Sequence, residues 1–300
     1  MPSRRPSRQL RKFVIPVMGP TGAGKSTFIN TLLGERRMVV GETLKSQTVE
    51  LEAVQLDMTP YAKLLGNYQI VIVDTPGFDD TLKSDVAILK KIAEWLKESY
   101  QKDNAVLGGV IYLHDVSLDR FTGTAQRNLD IFQALCGDDA LCKVVIGTTK
   151  WDRIKPEVAK RHEDELRQDH WKALIKQGAQ VVSFKNQNDP ESARQFVIKL
   201  SALFKKRNLE ETYLQIQKEL AVQNKRIPET AAGQTLRNTL KEIFEMEKQV
   251  AGLEATMVKA GGDEEALARL REAEEQIAKL HQQLKELKIP FFRRLLRIFR

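Results

Sequence analysis

The stretch VIPVMGPTGAGKSTF, residues 14–28, decides the fold. Its apolar residues predict a strand over 13–18, and a glycine-rich loop then leads into a helix that begins at Lys25. The loop, GPTGAGKS at 19–26, fits the pattern G-x-x-x-x-G-K-[ST] without a mismatch. Glycines allow such a loop to turn its backbone N–H groups inward, toward phosphate oxygens. The sequence therefore predicts a nucleotide-binding loop, and the alternative is a chance glycine-rich turn.

The positions of this loop have predicted roles. The Lys25 ammonium is expected to reach the β- and γ-phosphates, and the Ser26 hydroxyl is expected to bind Mg²⁺. The helix that starts there adds the positive end of its dipole. The residues expected to contact the nucleotide are Gly19, Pro20, Thr21, Gly22, Ala23, Gly24, Lys25, Ser26 and Thr27.

A second motif, DTPG at 74–77, follows the short apolar run QIVIV at 69–73. Such a run predicts a strand that is buried on both faces. Asp74 at its carboxyl end can bind Mg²⁺ through water, and the Gly77 N–H can contact the γ-phosphate. Alone, DTPG is an ordinary turn sequence. Its place after a phosphate loop favours the functional role.

A third motif, TTKWD at 148–152, follows the predicted strand KVVIGT at 143–148 and indicates the base. The Asp152 carboxylate can accept two hydrogen bonds from neighbouring N–H groups on one edge of a purine. Guanine has that pair of donors and adenine lacks it. The Lys150 stem is expected to pack on the ring, with Thr149 beside it. The predicted ligands are therefore GTP and GDP with Mg²⁺, and an ATPase or kinase is disfavoured.

Strands and helices alternate along this part of the chain. Further strands are predicted at 106–113 and 180–184, and helices at 82–101, 124–135, 156–177 and from about Ser192 onward. The alternation predicts an α/β fold with a mostly parallel sheet that helices cover on both faces. This domain is expected to occupy 13–225, because KRIP at 225–228 and Gly233 interrupt the pattern.

The three motifs, in this order, resemble those of a P-loop GTPase domain. The segments KSQT (45–48), VDTPGFDD (73–80) and DRFTGTAQRNLDIFQALCG (119–137) resemble the branch of septins, chloroplast-import Toc GTPases and AIG/GIMAP proteins. TTKWD and YLHDVS (112–117) resemble fungal GTPases of AIG-like type. The resemblance covers roughly residues 10–205. It implies a slow GTPase that acts as a molecular switch.

The same resemblance assigns roles to further residues. Thr48 matches the threonine that completes Mg²⁺ coordination in the triphosphate state, with Thr43 as the alternative. The segment that lines the base falls in SFKN at 183–186, where Phe184 and Asn186 are the candidates, although this segment matches the family pattern poorly.

Phe78 departs from the pattern of many small GTPases, which place there a glutamine that orients the attacking water. Related branches without this glutamine often dimerise across their nucleotide faces. Arg120 and His114 are then candidates to touch a partner's nucleotide, and the alternative is that both are ordinary loop residues. A scaffold that binds GTP without hydrolysing it and acts through its helical tail is the competing function.

A heptad pattern fills the region 234–288. Its apolar positions are Leu236, Ile243, Met246, Val250, Leu253 and Met257, and then Leu270, Ala273, Ile277, Leu280, Leu284 and Leu287. The sequence AGGD at 260–263 interrupts the pattern between two runs of similar length. Two structures are therefore open, an antiparallel hairpin and a long intermolecular coiled coil. Self-association through these helices or through the nucleotide face is expected.

The net charge of +8 comes from the two ends of the chain. Residues 1–12 and 288–300 each carry five Lys/Arg and no acidic residue, so the region between them is slightly acidic. This distribution is not that of a uniformly basic nucleic-acid-binding protein, and no nucleic-acid partner is expected. Residues 1–12 are predicted to be a basic disordered tail.

The last stretch, IPFFRRLLRIFR at 289–300, has an amphipathic pattern. On a helical wheel its phenylalanines and leucines lie on one side and its arginines on the other. It fits an anionic membrane surface, and docking on a partner or on its own protein is the alternative. No spanning helix is expected, because no run of about 18 uncharged apolar residues occurs. Cys136 and Cys142 do not form a disulfide framework, so the expected location is a reducing cytoplasm, with peripheral membrane contact.

Overall fold

The structure, a computed structural model, describes residues 10–38, 51–57, 62–66, 68–78, 84–101, 105–207, 209–261 and 264–289. Its strands are β1 (Arg11–Met18), β2 (Glu52–Gln55), β3 (Tyr68–Asp74), β4 (Ala105–Leu107), β5 (Val110–Asp115), β6 (Val144–Thr149) and β7 (Gln180–Ser183). They form one sheet in the order β2-β3-β1-β5-β6-β7, and β4 also pairs with β1.

The sheet is mostly parallel, as predicted. Every pair of described strands is parallel except β2 with β3, which is antiparallel. The sequence prediction missed β2, because EAVQ is four residues long and buries only Val54. The predicted strand 106–113 is two strands, β4 and β5, because the chain leaves the extended ladder at Gly108 and Gly109.

The helices are α1 (Lys25–Leu33), α2 (Ala62–Leu65), α3 (Asp85–Gln101), α4 (Gly123–Cys136), α5 (Pro156–Gln168), α6 (Lys172–Lys176), α7 (Pro190–Arg207), α8 (Gln215–Gln217), α9 (Ala231–Lys259) and α10 (Glu264–Glu286). The single helix predicted over 156–177 is divided into α5 and α6. Between them the chain turns at Trp171, whose ring is completely buried and whose backbone N–H donates to the Leu166 carbonyl at 2.8 Å. Burial of this large ring therefore outweighs the continuous helical pattern.

Helices cover both faces of the sheet. Side chains of β5 alternate between two cores, since Ile111 packs with α1 and α7 whereas Tyr112 packs with α3 and α4. On the first face the Phe28 ring meets the Phe184 and Phe196 rings edge-to-face. The predicted α/β fold, a P-loop domain with helices on both faces, is confirmed.

A buried glutamate fixes the start of α9. The Glu219 carboxylate, 2% exposed, accepts from the Ala231 N–H at 3.0 Å and pairs with the Lys225 ammonium at 2.7 Å. The Thr230 hydroxyl caps the same helix by accepting from the Gly233 N–H at 3.1 Å. Helix N-termini carry unsatisfied N–H groups and a positive dipole end, so a carboxylate and a hydroxyl there stabilise the helix.

Helices α9 and α10 pack side by side in opposite directions. The Phe244 ring lies near the His281 ring, and farther along α9 the Glu254 carboxylate pairs with Arg269 at 3.0 Å. From Phe244 to Glu254 the position moves forward along α9, whereas from His281 to Arg269 the contacted position moves backward along α10. The two helices are therefore antiparallel. At its base the pair joins the domain, where Glu286 of α10 contacts Lys90 of α3.

None of the helices in the described ranges is long and apolar enough to cross a membrane. Within the predicted amphipathic segment 289–300 only Ile289 is described, and most of the predicted tail 1–12 also lies outside the described residues. Arg11 and Lys12 of that tail are the first residues of β1.

Candidate nucleotide-binding site

The predicted phosphate loop connects the carboxyl end of β1 to the amino end of α1. Gly24 precedes α1 with a φ of 86°, in the left-handed region that a residue with a side chain rarely adopts. The Lys25 side chain folds back over the loop, where its ammonium donates to the carbonyls of Gly19 and Pro20 at 2.9 Å each. Lys25 is 7% exposed. Its positive charge is therefore held over the loop into which phosphates would bind.

Ser26 and Asp74 meet although they are 48 residues apart in sequence. The Ser26 hydroxyl donates to Asp74 Oδ2 at 2.8 Å, and the Asp74 side chain is buried. A hydroxyl and a carboxylate supply the hard oxygen donors that Mg²⁺ prefers, and Mg²⁺ usually takes its other ligands from water and phosphate. These two residues therefore fit the ion. Thr48, the third predicted ligand, and its alternative Thr43 lie outside the described residues.

The segment after β3 lies directly against the phosphate loop. A Cβ atom on Gly77 would lie 2.5 Å from the Thr21 backbone nitrogen, so only glycine fits there. The Thr21 hydroxyl lies 3.4 Å from the Phe78 carbonyl. The Phe78 side chain points away into the core that contains α3, and it is 7% exposed. The position that many small GTPases give to a water-orienting glutamine is thus a packing position here.

The predicted guanine loop begins where β6 ends. Lys150 has a φ of 59°, and its ammonium pairs with the Asp115 carboxylate at 2.6 Å. Asp115, at the carboxyl end of β5, was missed by the sequence analysis, although a carboxylate at the end of the neighbouring strand was a signal for it. It also accepts from the Ser117 N–H at 2.9 Å. The ion pair holds the Lys150 ammonium at the carboxyl end of β5.

Thr149 joins the two loops. Its hydroxyl lies 2.9 Å from the Ala23 carbonyl in the phosphate loop and 3.2 Å from the His114 carbonyl in β5. Thr149 is 2% exposed, so its side chain positions the loops from below.

The loop after β7 reaches Asp152 through a residue that the sequence analysis did not select. The Gln187 side-chain amide donates to Asp152 Oδ1 at 2.7 Å, and the Gln187 carbonyl accepts from the Thr31 hydroxyl at 2.5 Å. Of the predicted residues in this loop, Phe184 lies in the core with 1% exposure, and Asn186 closes a turn by accepting from the Asn188 N–H. The burial of Phe184 is against its predicted contact with the base.

A cavity of about 450 Å³ lies between α1 and this loop. Thr27 and Thr31 line it on the α1 side, and Gln187 and Asn188 line the opposite side. Because Gln187 also contacts Asp152, the cavity borders the predicted base-binding carboxylate. It lies beside the phosphate loop rather than over it.

A buried glutamate on α5 supports the guanine loop. Glu163, 2% exposed, accepts from the Thr148 hydroxyl at 2.9 Å and from the Ser183 hydroxyl at 2.8 Å. The Trp151 indole N–H donates in turn to the Thr148 hydroxyl at 3.0 Å. Glu163 therefore links the ends of β6 and β7, the two strands that precede the loops around Asp152. Its signal in the sequence was a glutamate in an apolar position, since Ala159 and Leu166 share its buried face.

We expect Glu163→Ala to weaken GDP binding about tenfold, equivalent to about 1.4 kcal/mol, because the loop that carries Asp152 loses its support. Glu163→Gln keeps an acceptor oxygen and is expected to retain most of the affinity. The exposed neighbour Glu165 gives a matched control, Glu165→Ala, with unchanged affinity. Titration with a fluorescent GDP analogue measures all three. Equal affinities of the Glu163→Ala variant and the unmodified chain would contradict a positioning role.

The two predicted partner-reaching residues lie in different environments. Arg120 is exposed in the loop after β5, at the same edge of the sheet as the phosphate loop. His114 is 3% exposed, and its ring lies between the Phe121 and Trp171 rings at centroid distances of 5.4 and 5.6 Å. This burial is against the prediction that His114 reaches a partner's nucleotide.

Burial makes the folded state sensitive to acid at His114. Burial lowers the pKa of His114 from 6.5 to about 4, with the Asp115 charge opposing the shift and His170 adding to it. As the pH falls, the unfolded chain therefore takes up a proton at His114 before the folded chain does. The free energy of unfolding falls as the pH drops from about 6.5 toward 4. We expect the stability lost between pH 7 and pH 5 to be smaller by about 2 kcal/mol in His114→Phe. Urea melts at both pH values test this, with the exposed His281→Phe as the control. An equal pH dependence of all three chains would contradict it.

Comparison with known proteins gives a family and several relatives. The model of the AIG1 family matches residues 13–231. Septin-2B of Xenopus laevis is 32% identical over 119 residues, which are 38% of this chain and 30% of that protein. Cell division control protein 11 of Saccharomyces cerevisiae is 30% identical over 99 residues, which are 30% of this chain and 23% of that protein. The chain thus matches less than a third of the length of these two relatives.

Solved structures also align with the domain. Toc33 from Arabidopsis thaliana in complex with Mg²⁺ and GMPPNP aligns with a TM-score of 0.48 and 17% identity, over 68% of this chain and 88% of that one. Aquifex aeolicus Era bound to GDP·AlF₄⁻ aligns with a TM-score of 0.43 and 20% identity, over 65% of this chain and 56% of that one.

The family match includes all three motifs from which the site is built, GPTGAGKS, DTPG and TKWD. The resemblance to AIG-like GTPases is thereby confirmed, and its fungal part stays a prediction. The chain belongs to the AIG1 family.

Proposed function

We propose that the chain binds GTP and GDP with Mg²⁺ and hydrolyses GTP slowly, as a molecular switch. The observation that carries this proposal is the meeting of three predicted groups at one edge of the sheet. Lys25 follows β1, Asp74 ends β3 and Asp152 follows β6, and these strands are parallel. In open parallel sheets, ligands bind outside the carboxyl ends of the strands.

The phosphates are bound by the loop 19–26, with the Lys25 ammonium stabilising negative charge on the β- and γ-phosphates. Ser26 would hold Mg²⁺ directly, Asp74 would hold it through water, and Thr48 would complete the set. When bound by these residues, the ion would supply positive charge that neutralises phosphate oxygens. The Gly77 N–H, which the close contact with Thr21 holds at the loop, donates to the γ-phosphate.

Guanine binds to Asp152, with the Lys150 stem against the ring. Asp152 Oδ1 accepts a hydrogen bond from Gln187 in this structure, so the base replaces the Gln187 amide at that oxygen. Gln187 then remains beside the base on the side of the cavity. Asn186 is placed in the same loop and stays a candidate contact.

A second copy, bound across the nucleotide face, supplies the catalytic group that Phe78 does not. The Phe78 side chain is buried in the core and has no polar atom, so it cannot orient the attacking water. Arg120, exposed at the nucleotide edge, is the residue proposed to reach the partner's phosphates. The chain acts in the cytoplasm, and the amphipathic pattern of 289–300 supports peripheral contact with an anionic membrane. No nucleic-acid partner is proposed.

The burial of Phe78 also favours a second candidate, a scaffold that holds GTP without turnover and works through α9 and α10. The two functions differ in whether phosphate is released. A scaffold binds GTP tightly and leaves it intact.

Multiple-turnover GTP hydrolysis, measured over a range of protein concentrations, tests the proposal. We expect a rate per molecule that rises with concentration and becomes flat in Arg120→Ala. Arg161→Ala, on the outer face of α5, is the matched control with an unchanged rise. A flat, slow rate in the unmodified chain would reject assistance from a second copy. Tight GTP binding without turnover would reject the enzyme and leave the scaffold.

A further inference from the structure

A carboxylate at the end of β5 holds the lysine of the guanine loop. Asp115 Oδ2 pairs with the Lys150 ammonium at 2.6 Å, and the two side chains are only 10% and 15% exposed. Solvent and salt screen a partly buried ion pair less than a pair on the surface. The Lys150 ammonium therefore has a well-defined position at the carboxyl edge of the sheet.

The other oxygen of the same carboxylate is bound by Ser117. Asp115 Oδ1 accepts from the Ser117 N–H at 2.9 Å and from the Ser117 hydroxyl at 2.6 Å. Between them, Val116 donates its backbone N–H to the Thr149 carbonyl at 3.1 Å, so the chain after β5 stays beside the end of β6. The carboxylate is thus fixed on one side by Ser117, and its remaining oxygen faces the lysine.

Lys150 needs such support in both its backbone and its side chain. Its φ of 59° lies in the left-handed region, which is unfavourable for a residue with a side chain. Its long side chain has many rotamers, and ordering it against a bound base would cost conformational entropy. An ion pair with a fixed carboxylate restricts those rotamers in the folded chain. Less entropy is then left to lose when a ligand binds.

We propose that Asp115 is a positioning residue for base binding, and that it acts by holding the Lys150 side chain in the arrangement that packs against the guanine ring. The role assigned to Asp115 rests on the proposed function, because it requires a base at Asp152. The two carboxylates then have different tasks. Asp152 selects the ring through its N–H groups, and Asp115 fixes the lysine that covers a face of the ring.

A double-mutant cycle of GDP affinity tests this role. We expect Asp115→Ala to raise the dissociation constant of a fluorescent GDP analogue about tenfold, because the Lys150 side chain loses its fixed position. In a Lys150→Met background the same change is expected to alter the dissociation constant by less than about twofold, since no ammonium is left for Asp115 to hold. An equal loss in both backgrounds would mean that Asp115 acts through Ser117 alone, and it would overturn the proposal.

A second variant removes the charge and keeps the shape of the side chain. Asp115→Asn retains an acceptor for Ser117 and is expected to raise the dissociation constant about threefold, so it tests the ion pair even if Asp115→Ala does not fold. Urea-unfolding midpoints report on folding. Asp130→Ala, at an exposed position of α4, is the matched control with unchanged affinity. Unchanged GDP affinity in the folded Asp115 variants would overturn the proposal.

GDP binding by the unmodified chain separates this role from the proposed function. If the unmodified chain binds no guanine nucleotide, the proposed function fails and the role of Asp115 fails with it. If the unmodified chain binds GDP with an affinity that does not depend on Asp115, only the positioning role fails.

Discussion

Replacing Asp152 with asparagine is expected to weaken GTP binding at least about 100-fold and to make xanthosine triphosphate the preferred ligand. In the proposed site the Asp152 carboxylate accepts from two guanine N–H groups, and the loss of two charge-assisted hydrogen bonds would account for about 3 kcal/mol. Asparagine offers one acceptor and one donor. Xanthine matches that pair, because it has an N–H beside a carbonyl where guanine has an amino group.

Competition of GTP, XTP and ATP for the two chains measures this exchange. Binding of XTP by Asp152→Asn is its own control for folding, since an unfolded chain binds neither nucleotide. Equal GTP affinity in both chains would show that Asp152 is not the base-binding carboxylate. Equal affinities for GTP and ATP in the unmodified chain would reject guanine specificity altogether.

Lys25→Ala is expected to weaken GTP binding at least about 100-fold and to reduce hydrolysis below detection, because the phosphates lose their cation. The substitution also removes the two hydrogen bonds of 2.9 Å that hold the side chain over the loop. Equilibrium binding of a fluorescent GTP analogue and phosphate release measure the two effects.

Lys172→Ala, which removes an exposed lysine at the start of α6, is the matched control for Lys25→Ala. Both variants are expected to retain the urea-unfolding midpoint of the unmodified chain within a small difference. If the Lys25→Ala chain is folded and binds GTP within a few-fold of the unmodified chain, the loop 19–26 does not act as a phosphate site.

The sequence was sufficient for the fold because its strongest signals are local. The glycines of the loop 19–26 allow the backbone turns that the loop needs, so its conformation is encoded locally. The runs before Asp74 and Lys150 are short and apolar, as buried parallel strands require. The strand β2 gave no such signal, since one buried residue in four leaves nothing for periodicity to detect.

The parts of the site that sequence reasoning missed depend on contacts between distant residues. Asp115 became recognisable only through its ion pair with Lys150, and Gln187 only through its hydrogen bond to Asp152. Phe184 was selected because it falls in the segment expected to line the base, yet burial of its ring in the core takes precedence. Solvent exposure likewise distinguishes Arg120, which is exposed, from His114, which is buried, although the two residues are only six positions apart in the sequence.

The length of α9 has a consequence for how far the chain reaches from its α/β domain. With 29 residues the helix is about 44 Å long, and its buried leucines, Leu236 and Leu240, lie within its first ten residues. The remaining 19 residues, from Lys241 to Lys259, extend about 28 Å farther, and in the described part of the chain only α10 lies beside their outer half. A molecule bound at the outer end of the two helices would therefore be held at a distance from the phosphate loop, and any signal between the two would have to pass through the base that Glu219 caps.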